Sequence, residues 1–271
     1  MLLFVVCALL PLIIFATLSV SKVSDQVRQD TKEGLRNGAK SSGMAIAARL
    51  NQVASDVSLA SDLVQSWRTE GARAGGDALK GQVSLHCTAM WLVDGDGDRV
   101  EVLCGDGEFV PIEMDSAERA HLAAGKPVLQ CGGDPVELRM SLDIDPKDGT
   151  DTRVVALINS DWLWDPQELR GTRCEFAACD RRGRVLYHTF ENLTASQVIG
   201  AGVFDKSSTG KTRSSGGLDW SIAGEPHLGR FWQAFLSPHY AMDIWVIQSR
   251  SRAEALAVDT EFVRFFWLTA I

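Results

Sequence analysis

The chain has 271 residues, 45% hydrophobic and 23% charged, a globular composition with room for one to three domains. Its 35 acidic residues outnumber 27 basic ones, for a net charge of −8 and no long basic run. Nucleic-acid binding needs clustered lysine and arginine, so that class of partner is excluded.

Residues 1–20, MLLFVVCALLPLIIFATLSV, carry no charge. About 20 apolar residues span a bilayer, and no basic segment precedes the run as in an export signal. A transmembrane helix over 1–20 is therefore expected, with a cleaved signal peptide as the alternative. At the other end, Arg264 is the sole charge between Phe262 and Ile271. Residues 259–271 are expected to begin a second transmembrane helix that the end of the chain truncates; a buried C-terminal helix is the alternative.

Residues 21–80 are polar and helical in pattern. Ile46, Leu50, Val53, Val57, Ala60, Val64 and Trp67 recur at spacings of four and three, a heptad seam. Val23, Val27 and Leu35 extend it weakly through a charged stretch. A helix from Ser21 to Arg68 would be roughly 70 Å long at 1.5 Å per residue. Such a rod suits a stalk or a parallel dimer; packing on its own domain is the plainer use of the seam. The glycines of TEGARAGGDALKG then break the helix.

Strand patterns follow. HCTAMWLVDGDGDRVEVLCG reads as a hairpin, with alternation on both sides of a Gly/Asp turn. DSAERAHLAAG is a short helix and KPVLQC a strand. In PVELRMSLDID, Val136, Leu138, Met140, Leu142 and Ile144 alternate with Glu137, Arg139, Ser141, Asp143 and Asp145. TRVVALINSDWLW is a buried strand running into a helix. The same order then repeats: the hairpin CEFAACDRRGRVLYHT, the helix ENLTASQVIGAG, two strands before residue 236, and DIWVIQSRSRAEALA as a strand entering a helix.

The repeat bears on DGDGDR, residues 94–99, which could open a calcium loop. Asp94 and Gly97 fall where Asp180 and Gly183 fall in the second hairpin. Asp bonds to nearby backbone and Gly accepts positive φ, so a tight turn accounts for both pairs. A calcium loop needs Gly at its sixth position and Glu at its twelfth, where this chain has Arg99 and Gly105. STGKT at 208–212 lacks the earlier glycine of a phosphate-binding loop, since Asp205 stands there. No nucleophile elbow, zinc-protease or Cys-x-x-Cys motif occurs, and the five histidines form no ligand spacing. No catalytic residue, metal site or cofactor is expected, and the chain reads as a non-enzyme. Asn192 begins a glycosylation sequon of a kind common by chance.

From Arg153 to Thr189, RVVALINSDWLWDPQELRGTRCEFAACDRRGRVLYHT, the sequence resembles double Cache (dCache) sensor domains, the tandem PAS-like external domains of bacterial transmembrane signalling receptors. Asp161, Trp162 and Leu163 match the turn that closes a membrane-distal module, and Asp180, Gly183, Val185 and Leu186 the hairpin that opens a membrane-proximal one. IWVIQSRSRAEALA resembles the last strand, which leads into a second transmembrane helix.

The resemblance implies an α+β fold: a long N-terminal helix and two PAS-like antiparallel-sheet modules, flanked by transmembrane helices. The expected division is 1–20 first span, 21–80 stalk or dimerisation helix, 81–165 distal module, 166–258 proximal module, 259–271 second span. The implied role is ligand sensing from a bacterial inner membrane, with residues 21–261 periplasmic, a homodimeric assembly, and a cytoplasmic output domain such as a diguanylate cyclase, histidine kinase or chemotaxis transducer. The alternative is an external module that binds a partner protein and no small molecule. The chain departs from amino-acid-sensing members in lacking an Arg-x-Trp-Tyr segment, which leaves the small-molecule ligand unnamed.

Two local expectations follow. The polar face of ELRMSLD puts Glu137, Arg139, Ser141 and Asp143 on one side of a strand, with Trp91 as a neighbouring wall. Arg139 could hold a carboxylate with two parallel bonds; the alternative is a merely solvated face. If the first hairpin turns at Gly95–Asp96, Cys87 faces Cys104 within disulfide reach. A turn at Asp96–Gly97 would misalign them and make Cys104–Cys131 the alternative, and all five external cysteines could equally be small core residues.

Overall fold

The computed structural model describes residues 2–70, 85–95, 99–106, 108–145, 152–169, 174–191, 193–204, 213–255 and 257. It begins with one helix, α1 (Leu2–Glu70), of 69 residues, about 100 Å long at 1.5 Å per residue. The uncharged N-terminal segment forms its first turns. Among the described residues no helix is long and apolar enough to cross a membrane. The expected second span, the 208–212 segment and Asn192 lie outside the described residues.

Two five-stranded antiparallel sheets stand along α1. The first, called the distal sheet after the module the sequence leads one to expect there, comprises β1 (Cys87–Asp94), β2 (Arg99–Gly105), β3 (Val128–Gly132), β4 (Glu137–Asp143) and β5 (Thr152–Ile158), with α2 (Ser116–Ala123) between β2 and β3. Two short helices, α3 (Ser160–Leu163) and α4 (Pro166–Leu169), lead on. The proximal sheet comprises β6 (Glu175–Asp180), β7 (Val185–His188), β8 (Ser215–Ile222), β9 (Glu225–Ala234) and β10 (Ile244–Ser251), with α5 (Ala195–Gly200), α6 (Ser237–Tyr240) and the terminal α7 (Arg252–Ala255). Strand order is β2-β1-β5-β4-β3 in one and β7-β6-β10-β9-β8 in the other. The order is the same when each sheet is counted from its own first strand, which is the repeat legible in the sequence.

The heptad seam is spent inside the chain. Ile46, Leu50, Val53, Val57 and Ala60 have no exposed surface, and they join one core with Leu138, Met140, Val154 and Ala156 of the distal sheet and Ala234, Ile244 and Val246 of the proximal one. Burying each of the valine, leucine, isoleucine and methionine side chains contributes about 1.5–3 kcal/mol. This corrects the expectation that Ile46–Trp67 forms a dimer seam: the sheets already cover it. Leu35 is likewise 3% exposed, whereas Val23 is 39% exposed. Two helical glycines permit the close packing, because a Cβ at Gly38 would meet the Gln248 amide and one at Gly43 the Trp232 ring.

Polar ties fix the register of helix against sheets. Gln248 Nε2 donates to Ser42 Oγ at 3.0 Å and to the Leu169 carbonyl at 3.1 Å. Arg49 donates to the Leu163 carbonyl at 2.8 Å and pairs with Glu168, while its guanidinium lies over Trp162. Asp56 and His86, both buried, meet at 2.6 Å. The Asp-Trp-Leu turn thus clamps the distal module to α1.

The proximal hairpin turns as expected: Asp180 Oδ1 accepts from the Arg182 and Arg184 amides, and Gly183 has φ +79°. The distal hairpin differs. Asp94 accepts from Thr152 Oγ1 at 2.8 Å, and Gly97 is outside the described residues. Its register pairs Asp94 with Arg99 and Trp91 with Val102, then shifts so that Met90 faces Cys104. This is the register expected of the later turn, and in it Cys87 and Cys104 are not bonded: their positions differ by three residues along the sheet, roughly 10 Å at 3.3 Å each. Among the described residues no disulfide is present. A bulge between Cys87 and Ala89 turns Cys87 into the core on α1, while Ala89, Trp91 and Val93 face the other way.

A candidate ligand cleft in the distal module

The two sheets differ on the faces turned away from α1. Strand pairing aligns them position by position, taking Asp94 and Asp180 as equivalents. Val93 pairs with Arg153 as Cys179 pairs with Trp245. Asp143 pairs with Arg153 as Gln233 pairs with Trp245. Hence Arg153 stands where the proximal sheet has Trp245, Ser141 where it has Phe231, and Arg139 where it has Gly229. The proximal outer face is closed by an apolar core that includes Phe190, Val198, Trp220, Phe231, Trp245 and Ile247. The distal outer face carries a smaller apolar cluster of Ala89, Trp91, Val93 and Val155, with Leu157 packed against it and Val128 buried opposite Ser141. Several polar residues on this face are buried: Arg139 is 5% exposed, Ser141 1% and Arg153 8%.

The segment between β2 and α2 roofs this face. Phe109 packs edge-on against Trp91, with centroids 5.6 Å apart. The Arg139 guanidinium lies 5.9 Å from both ring centroids, bonds Glu137 at 2.7 Å and donates to the Val110 carbonyl. Asp115 then caps α2: its carboxylate accepts from the Ala117 and Glu118 amides at 2.9 Å, and Glu118 bonds back to the Asp115 amide. The bond from the Glu118 amide, followed by that from Ala117 and by Arg181 and Arg182, holds the Asp115 carboxyl below its ordinary value against a smaller opposing effect of desolvation.

Between roof, α2 and sheet lies a cleft of about 790 Å³, lined by Pro111, Ile112, Glu113, Met114, Arg119, Leu122, Ala123, Asp143 and Arg153. That is within the 300–1,000 Å³ usual for small-molecule sites. Arg153, Ile112 and Met114 also border a void of about 10 Å³ beneath the roof, with Phe109, Arg139 and Ser141, which has room for one water at most. No carboxylate lies within 4.0 Å of Arg153 or Arg119 among the described residues, and Arg153 Nε is buried without a hydrogen-bond partner. Asp143 stands opposite Arg153 across the strand pair, beyond ion-pair distance; a buried donor left unbonded costs about 1–3 kcal/mol, which a guest accepting from Arg153 would offset.

The residues singled out from the sequence thus fall into three settings. Asp143 lines the cleft, Arg139 and Ser141 line the small void, and Trp91 and Glu137 support Arg139 from beside and from the rim. Arg153 and Arg119 were not singled out. Arg153 had a signal: it is the one charged residue of TRVVALI, in phase with Val155 and Leu157. The roof, EFVPIEMD, has no regular periodicity and gave none.

No family model matches the sequence, nor does any curated protein. Solved structures do match the fold. The ligand-binding domain of the Pseudomonas aeruginosa amino-acid chemoreceptor PctB, in complex with L-Arg, aligns at TM-score 0.59 and 15% identity over 84% of this chain and 98% of its own. That of the Pseudomonas fluorescens chemoreceptor CtaA, in complex with L-isoleucine, aligns at TM-score 0.61 and 13% identity over 86% and 98%. The extracellular domain of a protein assigned as a histidine kinase, rpHK1S-Z16, aligns at TM-score 0.58 and 17% identity over 84% and 97%. The fold expected from the sequence, that of the double Cache sensor domains, is the fold these receptor domains share with this chain.

Proposed function

We propose that this chain is the extracytoplasmic sensing part of a bacterial membrane receptor and that it binds a small anionic molecule in the distal cleft. The observation that carries this reading is Arg153, buried without a carboxylate partner at a position that is tryptophan in the otherwise matching proximal sheet. Arg153 and Arg119 would hold a carboxylate or similar anion; Asp143 and Glu113 on the same walls would favour a guest that also carries a positive group. PctB and CtaA, solved with amino acids, make amino acids the first compounds to try. The uncharged residues 1–20 support an anchoring first span, and the exposed Val23 leaves the charged stretch of α1 that follows it as the place for a second copy in a homodimer. Signal output would be carried by a separate cytoplasmic domain, a diguanylate cyclase or another.

A thermal-shift screen of amino acids and small carboxylates on the whole chain in detergent tests the reading. A compound at 100 times its Kd adds about 2.7 kcal/mol, and Arg153→Met should abolish that gain. Stabilisers that act equally on the variant would refute the site. The alternative, a partner-protein module, is favoured by the exposed Val100 and Val102 on the edge strand β2; a screen without hits would favour it over the ligand reading.

A further inference from the structure

A second charged groove lies at the other end of the molecule, between α1 and the edge of the proximal sheet. It measures about 780 Å³ and is lined by Arg28, Lys32, Arg36 and Arg230 together with the carboxylates of Asp25 and Glu33. Arg28, Lys32 and Arg36 recur every four residues, so their Cα atoms step along one side of the helix about 6 Å apart. Arg230 comes from β9, on the face that carries Gln248, and its guanidinium occupies the space that a side chain at Gly217 would fill. Gly217, on the edge strand β8, is the partner of Arg230 in the sheet. A glycine in a strand interior weakens the strand; here it gives the arginine room to lie flat across the strand.

Four cations meet two carboxylates in this lining, and Glu33 already accepts from Gln29 Nε2 at 3.2 Å. Among the described residues none of the four cations has a carboxylate within 4.0 Å. This concentration of positive charge stands in a chain of net charge −8. Guanidinium forks match the oxygens of phosphate groups.

We infer that the groove formed by Arg28, Lys32, Arg36 and Arg230 binds a phosphate-bearing anion. Its height bears on the source. Counted from Val20, the last residue of the uncharged run, Arg28 is about 12 Å and Arg36 about 24 Å up the helix. Lipid headgroups extend only about 5–8 Å beyond the hydrocarbon. A soluble anion therefore reaches the whole groove, and a headgroup phosphate at most its lower edge.

The test uses the whole chain in nanodiscs and inorganic pyrophosphate as the probe, at low salt because salt screens such contacts. Pyrophosphate is expected to raise Tm. Arg36→Gln and Arg230→Gln, each unchanged in Tm without the probe, are expected to weaken its binding roughly tenfold or more, the effect of losing a charge-assisted bond. Equal binding in phosphatidylcholine discs and in discs containing phosphatidylglycerol supports a soluble anion; weaker binding in the latter supports headgroup phosphate as a competing occupant. No binding by the wild-type chain, or binding that both variants retain in full, would overturn the assignment. Arg28→Gln, at an exposed helical position, provides a third variant should Arg230→Gln fail to fold.

Discussion

Arg139 donates from Nη1 to the main-chain carbonyl of Val110, so a strand of the distal sheet holds the segment that roofs it. The same guanidinium lies against Trp91 and Phe109 and pairs with Glu137. It is a clasp for the roof, and the cleft with Arg153 lies just beyond it.

Arg139→Ala should therefore loosen the roof. The Val110 carbonyl loses a charged donor and two rings lose a neighbour, a cost of about 1–3 kcal/mol. Hydrogen exchange should show faster amides in residues 109–114 than in the proximal sheet. Unchanged exchange there would mean that the roof is held by Phe109 packing alone.

Cys87 is buried, and desolvation, then Asp56 and Cys104, push its thiol up to about 12. The reactive form is the thiolate, so folded protein at pH 8 should leave Cys87 unalkylated. Denaturation without reductant should expose Cys87 and Cys104 to alkylation. A peptide linking the two would contradict the observed register.

Asp115 gives the stability of α2 a pH dependence. A carboxylate held below its ordinary value stabilises the fold above that value, and the contribution fades as pH falls through the lower folded value. The Tm difference between wild type and Asp115→Ala should be steady from neutrality to mild acid and shrink below about pH 4, under the ordinary aspartate value. A difference that grows in acid would contradict the capping role.

Much of this architecture was legible because strand and helix periods are local properties. The alternation through Leu138 and Met140, the seam from Ile46 to Trp67 and the Asp-x-x-Gly turn at Asp180 all read correctly as elements. What the seam packs against was not legible, because a heptad pattern buries equally well in a second helix or in a sheet. The hairpin register turned on a one-residue difference in the turn and a bulge, which hydrophobic pattern does not encode. The cleft depends on Arg153, Arg119 and a roof of irregular backbone lining one space, an arrangement set by tertiary packing.

The most direct measurement of the central claim is isothermal titration of the best stabilising amino acid or carboxylate into the wild-type chain and into Arg153→Met. The account predicts one site per chain in the wild type and a Kd weaker by about tenfold or more in the variant, since tenfold corresponds to ~1.4 kcal/mol. A variant Kd equal to that of the wild type would place the ligand elsewhere and contradict the account.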